Sequence, residues 1–432
     1  MRLIFLALAL ALLATPAAAR LAPAEQKMVR TVDAEQGRNV ALLEKLVNQN
    51  SGSLNFPGVE AVGAMMRAEL EPLGFEVRWV PMAEAGRSGH IVATHKGSGR
   101  GRKMLLIGHL DTVFEPDSPF QRFARKDDNV AEGPGIGDDK GGMVVMVAAL
   151  RAMKAAGTLK DADIEIVLTG DEEDSGSPIG LARRDLIAAG RRADVALDFE
   201  GLARENGRDM GSIARRGSAT WQVTAKGRTG HSSGIFSESM GNGAVYELAR
   251  ILAAFRTELP EPNLTFNVGL LLGGATAELD KDLIRGTITG KTNIVPPIAI
   301  ARGDLRALSL DQQERVIAKM RDIVGRHLPG SDAELAFDEG GYPPMAPTEA
   351  SRELLGRLNA VNRDLGLEQM GELDPLKRGA GDIGFVAHLI PGLVGLGTAG
   401  EGSHAPGETI YLDSIPRQAK RAAILMTRLS RP

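Results

Sequence analysis

The sequence predicts an α/β protein with a mostly parallel central sheet, interrupted by an inserted α+β domain of ferredoxin-like order. Three observations carry this expectation. Apolar strand patterns alternate with helical ones from about residue 22 to 211, as they do in a layer of parallel strands and crossover helices. From about 212 to 340 the order becomes β-α-β-β-α-β, that of a small ferredoxin-like unit. After about Gly341 the first texture returns and runs to Pro432. One discontinuous domain is therefore expected over 20–211 and 341–432, with a second inserted at 212–340. At 432 residues, 43% of them hydrophobic and 25% charged, the chain is large enough for two or three folding units.

The first nineteen residues, "MRLIFLALALALLATPAAA", stand outside this scheme. An early cation (Arg2), an apolar run from Leu3 to Leu13 and the Ala17–Ala19 tail form the three-part pattern of a cleaved secretory signal. The run is too short for a membrane anchor, which needs about 20 apolar residues. Cleavage is expected near Ala19, with export to the periplasm or the medium, and no other stretch reads as a membrane span. Beyond it come a turn, a helix at about Gly58–Leu73 and a strand from Phe75. "HIVATHKG" and "KMLLIGHLD" read as strands, "KGGMVVMVAALRAMKAAG" as an apolar helix closed by Gly157, and "DIEIVLTGDEE" as a strand running into acid. "GLARRDLIAAG" is helical and "ADVALDFEG" a short strand. In the inserted unit, "GSATWQVTAKG", "LTFNVGLLLGG", "KTNIVPPIAIARGDLRAL" and "DAELAFDEGG" are strands. "GNGAVYELARILAAFRTEL" and "LDQQERVIAKMRDIVGRHL" are its helices.

Charge and composition narrow the function. A net charge of −4 without a basic run argues against nucleic acid as a partner, and 4% aromatics against a stacking platform for single strands. The absence of cysteine rules out a thiol nucleophile, a thiolate metal site and disulfides. Any metal must be held by His, Asp and Glu.

Five clusters of such residues sit at strand ends or in the loops that follow, where open α/β sheets bind ligands. They are "GHLDTV" (His109, Asp111), "GPGIGDDKGG" (Asp138, Asp139), "TGDEEDSG" (Asp171 to Asp174), "LDFEG" (Asp198, Glu200) and "GEGSHAPGE" (His404). Residues i and i+2 of a strand face the same side. Asp111 can therefore reach the far ring nitrogen of His109, which is how the tautomer of a metal-ligating histidine is fixed. Taken singly, each cluster has an ordinary explanation: a polar strand end, a helix cap in "DDKGG", a solvated acidic turn, a surface histidine. Jointly they make a site of oxygens and imidazoles, suited to zinc or a similar divalent ion.

The motifs "GHLDTV", "GPGIGDDKGG", "TGDEE", "LDFE", "KGRTGHSSG", "TNIVPP", "GDLR" and "GSHAPGE", in this order, resemble the two-zinc hydrolase superfamily of aminoacylase, acetylornithine deacetylase, succinyl-diaminopimelate desuccinylase and carboxypeptidase G. "GIGDDKGG" and the glutamate of "DFE" are closest to the glutamate carboxypeptidase branch. The resemblance runs from about residue 35 to the C-terminus. It implies a zinc-peptidase catalytic domain holding two divalent ions per chain, zinc by preference with cobalt able to replace it. Asp138 would bridge the two ions, and the peptide bond after it would be cis. His109 and Glu200 would complete one site, and Glu173 and His404 the other. Glu172 would be the general base and Asp111 the partner behind His109. The inserted domain would pair two chains as a homodimer and send His231 toward the other chain's site. Asn293 and Arg306 would meet the substrate, Arg306 by clamping a free carboxylate. Two departures, "GHSSG" for the usual "SHAG" and "KRGAGD" (Lys377 to Asp382) for "GGGTD", bear on substrate preference.

Two rivals come from other classes. "GHSSG" also fits the G-x-S-x-G elbow of serine hydrolases, with Ser232, Asp382 and His404 in matching order. That elbow needs a strand straight into the serine and a helix straight out, and the sequence offers neither. A solute-binding protein would need neither a base nor a metal cluster. The expectation is an exported zinc-dependent amide hydrolase that frees a C-terminal, glutamate-like amino acid from a small peptide or N-acyl conjugate. Deacylation of another N-acyl amino acid is the alternative within the superfamily.

Overall fold

The structure, a computed structural model, describes residues 21–98 and 100–432; the expected signal segment and its cleavage point lie outside the described residues. The central sheet has the strand order Glu76–Pro81, Gly89–His95, Ile164–Thr169, Met104–His109, Val195–Asp198, Gly392–Leu393. Its heart is parallel: Met104–His109 runs alongside Ile164–Thr169 on one side and Val195–Asp198 on the other, and Gly392–Leu393 extends the same direction. The first two strands form a hairpin and join the sheet antiparallel. The sheet is therefore mixed, with a parallel half that carries the strand ends of interest.

Every residue of Met104–His109 is buried, as expected for a central strand covered on both faces. Helix Gly141–Ala156 is buried along its length from Gly141 to Met153 because it lies under a second layer. Helices Pro23–Ala34 and Ser414–Leu429 pack over it, which explains its apolar residues on all sides. Gly157 ends it at φ 75°, the left-handed position that glycine fills without a Cβ clash. Predicted helix 58–73 is observed as Phe56–Leu70 followed by a short 3₁₀ turn. "GLARRDLIAAG" is divided at Arg183 into Ile179–Ala182 and Arg184–Gly190, and the Arg183 side chain turns into the core.

The inserted unit folds round its own core, with Trp221 edge-on to Phe255 at 5.7 Å. Its antiparallel sheet has the path Thr265–Phe266, Ile298–Arg306, Ala219–Gly227, Ser331–Phe337, and Leu270–Gly274 also pairs with Ile298–Arg306. Burial alternates along Ala219–Gly227, the signature of a strand with one face on a core. Helices Gly243–Glu258 and Leu310–Gly325 pack against this sheet. A hairpin of Thr276–Leu279 and Gly286–Thr289, which the sequence pattern did not separate, projects from it. The two chain crossings between units pair with each other through the bridges Arg215↔Met345 and Ser218↔Tyr342.

Candidate metal centre

Three neighbouring parallel strands end side by side, and this brings distant residues together. His109 ends Met104–His109, Glu172 and Glu173 follow Ile164–Thr169, and Glu200 follows Val195–Asp198. Asp138 comes from the loop before helix Gly141–Ala156, and His404 from the loop between Gly400–Glu401 and Thr409–Tyr411. The peptide bond after Asp138 is cis.

Asp138 lies between the two imidazoles. Its Oδ1 is 3.0 Å from His109 Nε2 and its Oδ2 is 3.2 Å from His404 Nε2. Glu173 Oε2 is also 3.2 Å from His404 Nε2. One ligand atom each from His109, Asp138 and Glu173 falls within a 4.8 Å span, a set that could hold a metal ion. Behind His109, Nδ1 is 3.1 Å from the Asp111 carbonyl and 3.4 Å from Asp111 Oδ1. This directs Nε2 at Asp138. The Asp111 carboxylate also accepts the backbone N–H groups of Glu172 and Glu173, both at 3.0 Å, and the Ser53 hydroxyl at 2.6 Å.

Electrostatics fit a cation here. Burial pushes the Glu172 carboxyl well above the usual range, and the charge of Glu200 adds to this. Burial also raises Glu173, against the pull of His404. The imidazoles carry the compensation: hydrogen bonds to Asp138 and Glu173 push His404 up to about 11. Burial disfavours the charged form of His109, yet Asp111 and Asp138 hold it well above the ordinary value. Glu173 Oε1 is buried with no hydrogen-bond partner. Carboxylate oxygens and imidazole nitrogens without a thiol are the donors of a zinc-type site, so the residues present fit the ion.

Glu200 does not join the compact set. Its carboxylate pairs with the Arg215 guanidinium, and Arg378 Nη2 lies 3.7 Å away. The two cations supply the charge its buried position requires. Arg306 lines the same cavity of about 450 Å³ as Asp138, Glu172, Glu173, Glu200 and His404. Its Nε is 2.9 Å from Asp304. His231 and Asn293 do not line that cavity. They sit together where Gly230–His231 pairs with Ile294–Val295, and Asn293 O accepts the Ser232 N–H at 2.9 Å. The exposed His231 ring bonds the Ser233 hydroxyl at 2.8 Å. Ser232 opens a 3₁₀ turn, Asp382 is bonded to Thr169 and Arg183, and His404 is committed to Asp138 and Glu173, so no serine triad is assembled.

Sequence reasoning missed several residues. Arg215 and Arg378 face the carboxylates from loops that carry no metal motif. Glu408 accepts the backbone N–H groups of Gly135, Gly137 and Asp138 at 3.0, 2.7 and 3.0 Å, tying the Asp138 loop to the His404 loop. His404 itself has φ 66°, a conformation uncommon outside glycine. The only sequence signal for Glu408 was its place four residues after His404 in "GSHAPGE". Among the described residues, no helix is long and apolar enough to cross a membrane.

The family model described as Peptidase family M20/M25/M40 matches residues 105–428. The chain is 29% identical over 398 residues to carboxypeptidase G2 of Pseudomonas sp. (strain RS-16), covering 91% of this chain and 89% of that one. It is 27% identical over 391 residues to succinyl-diaminopimelate desuccinylase of Novosphingobium aromaticivorans, covering 87% and 94%. Among solved structures, a dinuclear metal-binding peptidase of Bacillus subtilis shares the fold at TM-score 0.64 and 16% identity, over 92% of this chain and 99% of that one.

Proposed function

The chain belongs to peptidase family M20/M25/M40 and is a metallo-hydrolase of peptide or amide bonds; from that premise we propose that it is an exported exopeptidase releasing a C-terminal, glutamate-like amino acid. The observation that carries this reading is the single cavity in which Arg306, Arg215 and Arg378 share walls with Glu172, Glu173 and Glu200. A substrate carboxylate has cationic partners there, beside a carboxylate able to move a proton.

His109, Asp138, Glu173 and His404, with Glu200 as the further carboxylate, would hold two divalent ions, zinc by preference. When bound, such ions supply Lewis-acid activation of water and of the scissile carbonyl. Glu172 takes a proton from the attacking water and returns it to the leaving amine, the work of a general base turned acid. Arg306 pairs with the free carboxylate of the departing residue. The inserted unit joins two chains, and His231 of each serves the site of the other. The pattern of residues 1–19 supports export.

Similarity to the desuccinylase supports a second reading, removal of an N-acyl group from another amino acid. A product survey of the zinc-loaded enzyme over N-acyl and N-benzoyl amino acids with varied C-terminal residues separates them. The fastest turnover is expected on a free C-terminal glutamate or aspartate. Equal turnover of the corresponding C-terminal amides would remove the carboxylate clamp from the account.

A further inference from the structure

Glu172 is gripped through its backbone on both sides of its Cα. Its N–H donates to Asp111. Its carbonyl accepts a hydrogen bond of 2.7 Å from the Tyr342 hydroxyl. Tyr342 belongs to neither the strand end nor the acidic loop. It lies on the returning crossing from the inserted unit, where its backbone exchanges both hydrogen bonds with Ser218 at 2.8 and 2.9 Å.

The hydroxyl has little freedom in its direction. Arg183 Nη2 donates to the Tyr342 oxygen at 2.7 Å, and a guanidinium can only donate. The phenol proton is thereby turned toward the Glu172 carbonyl. Arg183 is fully buried, and three of its other four N–H donors are also committed. Nε binds Asp382 Oδ1 and Nη1 binds Asp171 Oδ1, both at 2.6 Å, while Nη2 also reaches the Asp171 carbonyl at 3.0 Å. The second oxygen of Asp382 takes the Thr169 hydroxyl at 2.5 Å, and that of Asp171 the Gly176 N–H at 2.8 Å. Thr169, Asp171 and Gly176 bracket the turn that carries Glu172. The Tyr342 and Phe385 rings, edge to face at 5.2 Å, both lie against the guanidinium, each centroid 5.6 Å from Cζ.

We propose that Tyr342, oriented by Arg183, is a positioning residue that sets Glu172 for proton transfer and ties the base-bearing turn to the crossing between the two units. This rests on the reading of Glu172 as general base. Replacing a buried ionic network by apolar residues of the same shape is often neutral or stabilising, so stability alone does not call for this one. Here the phenol's one proton goes to the backbone of the residue assigned to proton transfer.

The test uses the full zinc-loaded chain with Tyr342→Phe, Glu172→Gln and the double variant. Tyr342→Phe keeps the ring against both Arg183 and Phe385, which makes it a gentler change than substituting Arg183. It is expected to keep wild-type metal content and KM within about threefold while kcat falls about 10–100-fold, the scale of a misplaced catalytic group. Added to Glu172→Gln, it should cost nothing further, since it acts only through that residue. In metal-free protein, amide hydrogen exchange over residues 170–176 should quicken in Tyr342→Phe while the rest of the sheet is unchanged. Wild-type kcat for Tyr342→Phe, or a full additional loss in the double variant, would overturn the proposal. Wild-type activity in Glu172→Gln would instead refute the general base, a different failure read from a different variant.

Discussion

His109 is fixed from behind by Asp111, and Asp111 in turn holds the peptides of Glu172 and Glu173. One buried carboxylate thus aligns an imidazole proposed to hold metal and the two glutamates proposed for different tasks. Adjacent residues in a turn send their side chains different ways, so Glu173 reaches His404 while Glu172 is left to the cavity. The two tasks separate experimentally. Glu172→Gln should retain its metal by elemental analysis and lose about 10²–10⁴ in kcat, the usual cost of a general base. His404→Ala should instead lower the metal content, because it removes a nitrogen placed between Asp138 and Glu173. A Glu172→Gln enzyme with full kcat and bound zinc would contradict the assignment.

Among elements, the helix Gly243–Glu258 shows how the inserted unit is secured. Glu247 is fully buried on it, accepting from Arg250 Nη2 at 2.5 Å, Leu328 N at 2.8 Å and the Ser331 hydroxyl at 3.1 Å. Burial alone would raise this carboxyl, yet the bonds from Arg250 and its neighbours outweigh it and hold the pKa below the ordinary 4.5. The folded-state value is depressed, so the stabilisation is complete above about pH 4.5 and fades as pH falls through the folded value. Glu247→Gln should therefore lower the unfolding temperature by several degrees at pH 7, with the gap closing in acid. An equal gap at both pH values would contradict it. The elements themselves were largely legible in the sequence, because the periods of 2 and 3.6 report which face is buried. His109 with Asp111, and Glu172 with Glu173, were legible because their relation is local. The break at Arg183 was not, since its cause is a charge buried on Asp171 and Asp382, the latter 199 residues away in sequence. The pairing of Glu200 with Arg215, and of Tyr342 with Glu172, is likewise tertiary and leaves no mark on periodicity.

For the whole molecule, the cavity draws Arg306 from the inserted unit and its carboxylates from the other, so neither unit alone makes the site. His231 and Asn293 belong to the inserted unit and lie off this cavity, and His231 is proposed to serve the site of a second chain. Mixing His231→Ala with Glu172→Gln under subunit exchange would then build some heterodimers with one intact composite site. Activity should return, up to about half of wild type in each such heterodimer, since a two-fold pair has two equivalent sites. Proven exchange without recovery, or a chain that stays monomeric at working concentration, would remove the paired arrangement and leave the single-chain chemistry standing.

Metal dependence of amide hydrolysis tests the centre most directly. The purified protein, dialysed against excess chelator, should lose all turnover of N-acyl amino acids and regain it on adding back zinc or cobalt, with full recovery at two ions per chain. Undiminished hydrolysis by protein shown to be metal-free would contradict the account.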